Sequence, residues 1–446
     1  MVVQRVRTIW SKPVGRGFIM LAVMSFTFGF ALNAHQNIVT NYFEEVLHFR
    51  GPDFGYMVAI REVPGFILIA LTALFYRVSL QRVTAGALSL YALGLALFGL
   101  SVGFWTVVPW IVITSIGFHT VLQTQYALGM SLTKEEDSGR VLGQMAAVGQ
   151  AGTLAALVLI LIGFHFDLIS FRPTFVVLGA VAFVGAIAIV RFPHLHEGEH
   201  RAVAPKRERM VWRREYRYFY LLNLLDGGRQ QVFFAFGLWV LVNTFGLGVA
   251  QISAVLIAVT FVSMVSGTWI GRLIDRHGER RALSIVNVAY VIALTGFALA
   301  DNVVLACLAY VLYSFILPIS AIGSSTYLRR IALPEEVAPS LAMGISLLHA
   351  TAIVVPLATG FILNYVGYQV PFYIAGAFAV ATFFVTLRLD PETQRVAGRA
   401  PGLPRRGSRE TAAEAEALLL AGDGGAGEEI ASLQAVISMG ERDAGE

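Results

Sequence analysis

Few residues in this chain of 446 can do chemistry, and most of those sit inside apolar stretches. In "LLNLLDGGRQQVFFAF", residues 221–236, Asp226 and Arg229 interrupt a run of Leu, Phe and Ala. Their spacing lets them pair along a helix. Asn223, Asp226, Gln230 and Phe233 fall on one helical stripe. A second charged pair, Arg61 and Glu62, lies in "AIREVPGF". Adjacent residues point about 100° apart on a helix and do not face each other, so each is expected to find its partner on another helix. Asp226 then has two candidate partners, Arg229 and Arg61. His119 and Gln123 share a helical face, with Gln125 pointing away. Asn33, His35, Gln36 and Asn37 form one polar group, and His349 stands alone; His35 and His349 read as satisfied core groups.

Three kinds of chemistry fit this set. Asp226 or Glu62 can carry a proton, because a carboxylate beside a buried Arg has its ionisation tied to that partner. Arg61 and Arg229 can bind an anionic solute through forked hydrogen bonds, with Asn33, Gln36, His119, Gln123 and Gln230 adding polar contacts. Or the charges pin helices together. Each reading assumes low-dielectric surroundings, and the rest of the sequence supplies them.

Hydrophobic residues make up 56% of the chain and charged residues 14%, against about 25% charged in soluble domains. The mean hydropathy is +0.68. Twelve segments have the length and apolarity of a helix crossing a bilayer: 17–41, 54–76, 83–103, 105–130, 140–164, 172–191, 216–242, 249–271, 282–300, 303–327, 341–365 and 370–388. The first reads as a retained span and not as a cleaved signal. One set of connections is rich in Lys and Arg, including Arg5, Arg7, Lys12, Arg77, Arg82, Lys134, Arg140, Arg329 and Arg330; the other holds only Arg50 and Arg172. The basic set is expected in the cytoplasm, with both termini, in a bacterial-type plasma membrane.

The divisions follow. Residues 1–191 form one six-helix bundle, 192–215 a cytoplasmic linker, 216–389 a second six-helix bundle and 390–446 a mobile tail. The linker's His194, His196 and His200 beside Glu197 and Glu199 read as a solvated basic segment near anionic lipid, not as a metal cluster. The net charge of +4 reflects these loops and gives no reason to expect nucleic acid. The single cysteine, Cys307, excludes an internal disulfide and a cysteine-based metal site. No phosphate-binding Gly-x-x-x-x-Gly-Lys-[Ser/Thr] run occurs. No nucleophile–base pair is apparent either, so an enzyme is not expected, nor any cofactor. A monomer in the bilayer is expected.

The halves repeat. "ALNAHQNIV" (31–39) matches "LLDGGRQQV" (224–232), each a polar cluster in the first span of its half. "TKEEDSGRVLGQ" (133–144) matches "LPEEVAPSLAMGI" (333–345), each a Glu pair ahead of a Gly in the next helix. Parallel repeats of this kind place a binding site near the midplane between them.

One further stretch, "GRLIDRHGERR" (271–281), resembles the signature loop of the major facilitator superfamily, Gly-x-x-x-Asp-Arg-x-Gly-x-Arg-Arg. Gly271, Asp275, Arg276, Gly278, Arg280 and Arg281 carry the match. The resemblance implies an all-α membrane protein of two pseudo-symmetric six-helix bundles, working as a secondary transporter by alternating access. It also implies a gating role for the loop, with Asp275 set against the start of span five near Ser138–Arg140, where a helix dipole favours a carboxylate. The first half departs from the pattern, with Tyr76 and Leu80 in place of the Gly and the acid, so one strong latch and one weak one are expected. A small-molecule transporter coupled to protons is the reading that joins these points. An anion exchanger or facilitator built on Arg61 and Arg229 is the alternative within transport. A transporter-shaped sensor signalling through the tail is the alternative outside it.

Overall fold

The computed structural model describes residues 13–71, 78–132, 138–193 and 211–396; at 13, 68–71, 138, 265–277 and 338 it describes the backbone only. The linker histidines and most of the expected tail lie outside the described residues.

Among the described residues the long apolar runs form twelve helices. In chain order they are α1 (Pro13–Glu45), α2 (Gly51–Leu71), α3 (Leu80–Phe98), α4 (Phe104–Met130), α5 (Ser138–His165), α6 (Phe171–Val190), α7 (Arg217–Asn243), α8 (Val249–His277), α9 (Glu279–Ala298), α10 (Val303–Ile331), α11 (Pro334–Val366) and α12 (Gln369–Thr386). Nine of them are long and apolar enough to cross a membrane within the described residues, and α8 adds a shorter apolar run, Val249–Met264.

Two boundaries differ from expectation. The "GRLIDRHGERR" stretch is mostly helix: α8 runs to His277, and Gly278, at φ 77°, separates it from α9. Arg, Leu, Ile and Asp have no reason to leave a helix, whereas a left-handed residue ends one, and Gly takes that conformation at little cost. Likewise α11 begins at Pro334, so Glu335 and Glu336 occupy its first turn. There the helix dipole favours acids, and Pro is tolerated because its missing N–H needs no partner.

Helix packing repeats with an offset of six. In the first half α1 packs on α5 and α6, α3 on α4 and α6, and α2 on α4; in the second, α7 packs on α11 and α12, α9 on α10 and α12, and α8 on α10. The halves meet where α2 lies against α11 and α5 against α8. Helices α3, α6, α9 and α12 present large apolar side chains outward, among them Leu93, Val177, Ile187, Ile292 and Phe384. An apolar outer surface of this extent is uncommon in a protein bathed in water and suits lipid.

The α2–α11 contact is unusually close. A Cβ on Gly360 would lie 2.5 Å from the Gly51 carbonyl oxygen, and one on Gly55 would lie 2.5 Å from that of Pro356. Glycine is therefore required for the two backbones to touch. These residues lie at the end of the bundle where α1 finishes and α2 begins, called distal below. At the same end Asn37 Nδ2 donates to Ser253 Oγ (2.6 Å) and Asn41 Nδ2 donates to the Leu247 carbonyl (2.9 Å). The halves are thus joined at the distal end by backbone packing and by hydrogen bonds.

At the opposite end, contacts tie elements within the second half. Arg213 and the Tyr216 hydroxyl both bond Glu336 (2.6 and 2.5 Å). Arg330 pairs with the buried Glu279 (2.9 Å). Nothing is described for the side chains of Gly271, Asp275 and Arg276. Arg280 is exposed at the start of α9.

Candidate transport site

A cavity of ≈ 110 Å³ lies between the halves. Its polar wall comes from Asn33, His35, Gln36 and Thr40 of α1 with Arg61 of α2; α7, α8 and α10 contribute Phe234, Leu238, Leu256 and Tyr310. Arg61 is its one cationic lining residue among those described, and no carboxylate lines it. Four of the residues singled out from sequence thus share one wall: Asn33, His35, Gln36 and Arg61. Asn33 Nδ2 also donates to Thr153 Oγ1 (2.8 Å) and to the Gly29 carbonyl (3.1 Å).

Arg61 pairs with its own neighbour. Its Nη2 lies 2.9 Å from Glu62 Oε1 and its Nε donates to the same oxygen at 3.0 Å. This corrects the expectation that adjacent residues cannot pair. The Cβ directions do diverge by about 100°, but the Arg side chain is long enough to fold back. It keeps 35% of its surface exposed while the Glu62 side chain keeps 1%. Arg61 therefore bridges the cavity and a buried acid.

The other oxygen of that acid is the more unusual one. Glu62 Oε2 lies 3.9 Å from His119 Nε2 of α4 and 3.8 Å from His349 Nδ1 of α11. None of these three atoms makes a hydrogen bond. His119 Nδ1 sits 2.9 Å from the Ser115 carbonyl. A carbonyl only accepts, so Nδ1 carries the hydrogen, and in a neutral ring Nε2 is then a bare lone pair facing a carboxylate. The two repel until a proton joins one of them. Three features of α2 and α4 create this geometry. Pro64 lacks the N–H that would bond the Ile60 carbonyl. The Ser115 hydroxyl bonds the neighbouring Arg61 carbonyl from α4. Gly65 leaves room for the ring, since a Cβ there would lie 2.5 Å from His119 Nε2.

The second charged pair is separate. Arg229 Nη1 lies 2.9 Å from Asp226 Oδ1 and donates to Asn287 Oδ1 at 3.2 Å. The guanidinium stacks over the Tyr290 ring at 3.4 Å, with the Tyr313 ring centre at 5.9 Å. Arg229 is fully buried, and it lies outside the cavity wall, as do Asp226, Gln230, His119 and Gln123. Asp226 pairs with Arg229 and not with Arg61, which Glu62 has taken. Gly227 and Gly228 pack against Thr351 and Phe378 with α7 continuous through them. Phe234 lines the cavity; Phe233 stacks on Tyr313 behind it.

Ser115, Asn287, Tyr290 and Tyr313 carry no mark in the sequence. Ser and Tyr within apolar spans are common, and only the helix pairing gives them roles. His349 reads from sequence as a core group; what the linear order hides is its approach to Glu62.

The family model for the Major Facilitator Superfamily matches residues 21–236 and 219–421. The chain belongs to the Major Facilitator Superfamily. The two matches overlap at residues 219–236, within α7, and membership makes it a membrane transport protein. No sequence among curated proteins matches it. Among solved structures it is similar to a mutant form of the nucleoside transporter NupG, with a TM-score of 0.71 at 16% identity, over 84% of this chain and 99% of that one. It is also similar to a bacterial homolog of the human lysosomal transporter Spinster, with a TM-score of 0.64 at 14% identity, over 87% of this chain and all of that one. At these identities the likeness extends to the fold of the superfamily and not to its cargo.

Proposed function

We propose that this protein is a proton-coupled secondary transporter of a small molecule that works by alternating access, with Glu62 as its coupling carboxylate. One observation carries the reading: Glu62 Oε2 faces His119 Nε2 at 3.9 Å and His349 Nδ1 at 3.8 Å while Oε1 holds Arg61. A proton entering this group changes three contacts together. It relieves the clash with His119, weakens the hold on Arg61 and removes the negative charge facing α11. Because α11 belongs to the other half, the protonation state of Glu62 bears on the seam between the halves. The Lys and Arg bias of the loops supports placing the distal end outside the cell, both termini inside and the signature stretch at the cytoplasmic face.

Asp226 is assigned a different task. Its partner Arg229 is enclosed by Tyr290, Tyr313 and Asn287, which supports a strut joining α7, α9 and α10. Gating by Asp275, Arg276 and Arg280 between Gly271 and Gly278 rests on the superfamily motif.

The reading is tested without a substrate. Spin labels are placed at Val102 and Tyr365, exposed distal positions of the two halves, in a Cys307→Ala background. The wild-type distance distribution should change as pH falls, and Glu62→Gln should hold the low-pH distribution throughout. A pH-independent wild type, or a Glu62→Gln variant that follows pH as the wild type does, contradicts the proposal.

A further inference from the structure

We infer that the cavity takes a monoanionic solute with an apolar or aromatic body, exchanged one for one against the charge of Glu62. The inference rests on the coupling role proposed for Glu62. Apart from Arg61, the polar lining is neutral amide, hydroxyl and imidazole. Phe43, Phe54, Phe98, Phe234 and Tyr310 supply apolar walls. A cation entering here meets the Arg61 guanidinium, while the carboxylate that pairs with it, Glu62, is buried and does not line the cavity. A polyol meets few acceptors and many rings. An anion with a flat apolar body meets a fork donor at one end and rings around the rest, the arrangement that suits Arg.

Arg61 is already satisfied by Glu62, and that decides the stoichiometry. For a solute carboxylate to take the guanidinium, the Glu62 carboxylate must give it up. A buried charge without a partner is costly, so Glu62 gives it up by accepting one proton from solution. Before binding, Arg61 and Glu62 sum to zero. Afterwards Arg61, the solute anion and protonated Glu62 sum to zero again. One anion and one proton cross together, and the step moves no net charge. The other titratable groups facing this pair are His119 from α4 and His349 from α11 at Glu62, with His35 from α1 and Tyr91 from α3 within reach of Arg61.

The test is binding to the purified full-length chain, using benzoate, benzylammonium and benzyl alcohol as probes between pH 5.5 and 8. Benzoate should bind at least tenfold more tightly than the other two. Its affinity should fall by about tenfold per pH unit in the upper part of the range, the slope of one linked proton. Glu62→Gln should bind benzoate more tightly than the wild type and lose that slope. Because Arg61→Gln alone strands a buried acid and can fail to fold, the charge-free double variant Arg61→Gln/Glu62→Gln is measured beside it; it should lose benzoate binding. Binding of benzyl alcohol or benzylammonium as tight as that of benzoate overturns the inference. So does undiminished benzoate binding by the double variant, or no benzoate binding by the wild type. Arg61-dependent but pH-independent binding overturns the exchange with Glu62 while leaving the anion at Arg61. Absence of benzoate binding together with pH-dependent label distances overturns the substrate class and leaves the coupling role of Glu62 standing.

Discussion

The Glu62 carboxylate of α2 lies 3.8 Å from His349 Nδ1 of α11, and those two helices belong to different halves. A carboxylate–imidazole pair therefore sits on the seam that the proposed alternating-access cycle would part. His349→Leu keeps the volume of the site and removes the imidazole. It should cut the pH-dependent change in Val102–Tyr365 label distance by at least half, because the distant half then loses its contact with the charge. An unchanged pH response would show that the seam does not sense Glu62 through this residue.

Asp226 and Arg229 are predicted to matter for stability more than for coupling. Removing one partner of a buried pair costs about 3–5 kcal/mol, because Arg229 is fully buried and what remains around it, the Tyr290 and Tyr313 rings and the Asn287 amide, carries no opposite charge. Asp226→Asn should therefore lower the Tm in detergent strongly. Asp226→Asn/Arg229→Met, which strands no charge, should recover much of the loss. A stable Asp226→Asn protein that has lost its pH response would instead mark Asp226 as the proton carrier.

Gly65→Ala probes the same site sterically. The added methyl would lie 2.5 Å from the His119 ring, and overpacking of this kind costs about 1–3 kcal/mol. It should displace His119 from Glu62, lower the Tm and blunt the pH response. Gly65→Ala combined with His119→Ala should restore the Tm but not the pH response. A wild-type pH response in Gly65→Ala would mean the His119–Glu62 geometry is not needed.

Asn37→Ala addresses the distal closure. It removes the 2.6 Å hydrogen bond to Ser253 across the halves, worth about 0.5–1.5 kcal/mol. The population with separated distal ends should rise a few-fold in the label measurement at fixed pH. No change would remove this bond from the closing contacts.

The twelve helices were legible because lipid demands long apolar runs, and these stand out in any window of the sequence. The repeat was legible for the same reason: "ALNAHQNIV" and "LLDGGRQQV" mark the first helix of each half. The Asp226–Arg229 pair was legible because three-residue spacing is a local property of a helix. What stayed hidden depends on reach and on pairing between helices. Arg61 folds back on Glu62, which a rule written for Cβ directions does not anticipate. His349 reaches Glu62 only because α11 packs on α2 through Gly51, Gly55 and Gly360, and helical periodicity carries no record of which helix lies opposite. The signature stretch looked like a loop because it is charged, yet it follows helix propensity up to Gly278.

The central claim is that Glu62, and not Asp226, holds the exchangeable proton. Infrared difference spectroscopy of the purified protein across a pH titration tests it most directly, by following the carbonyl stretch of a protonated carboxylic acid. The account predicts that a band growing in as pH falls is present in the wild type and in Asp226→Asn, and absent from Glu62→Gln. A band that survives in Glu62→Gln and disappears in Asp226→Asn would contradict it.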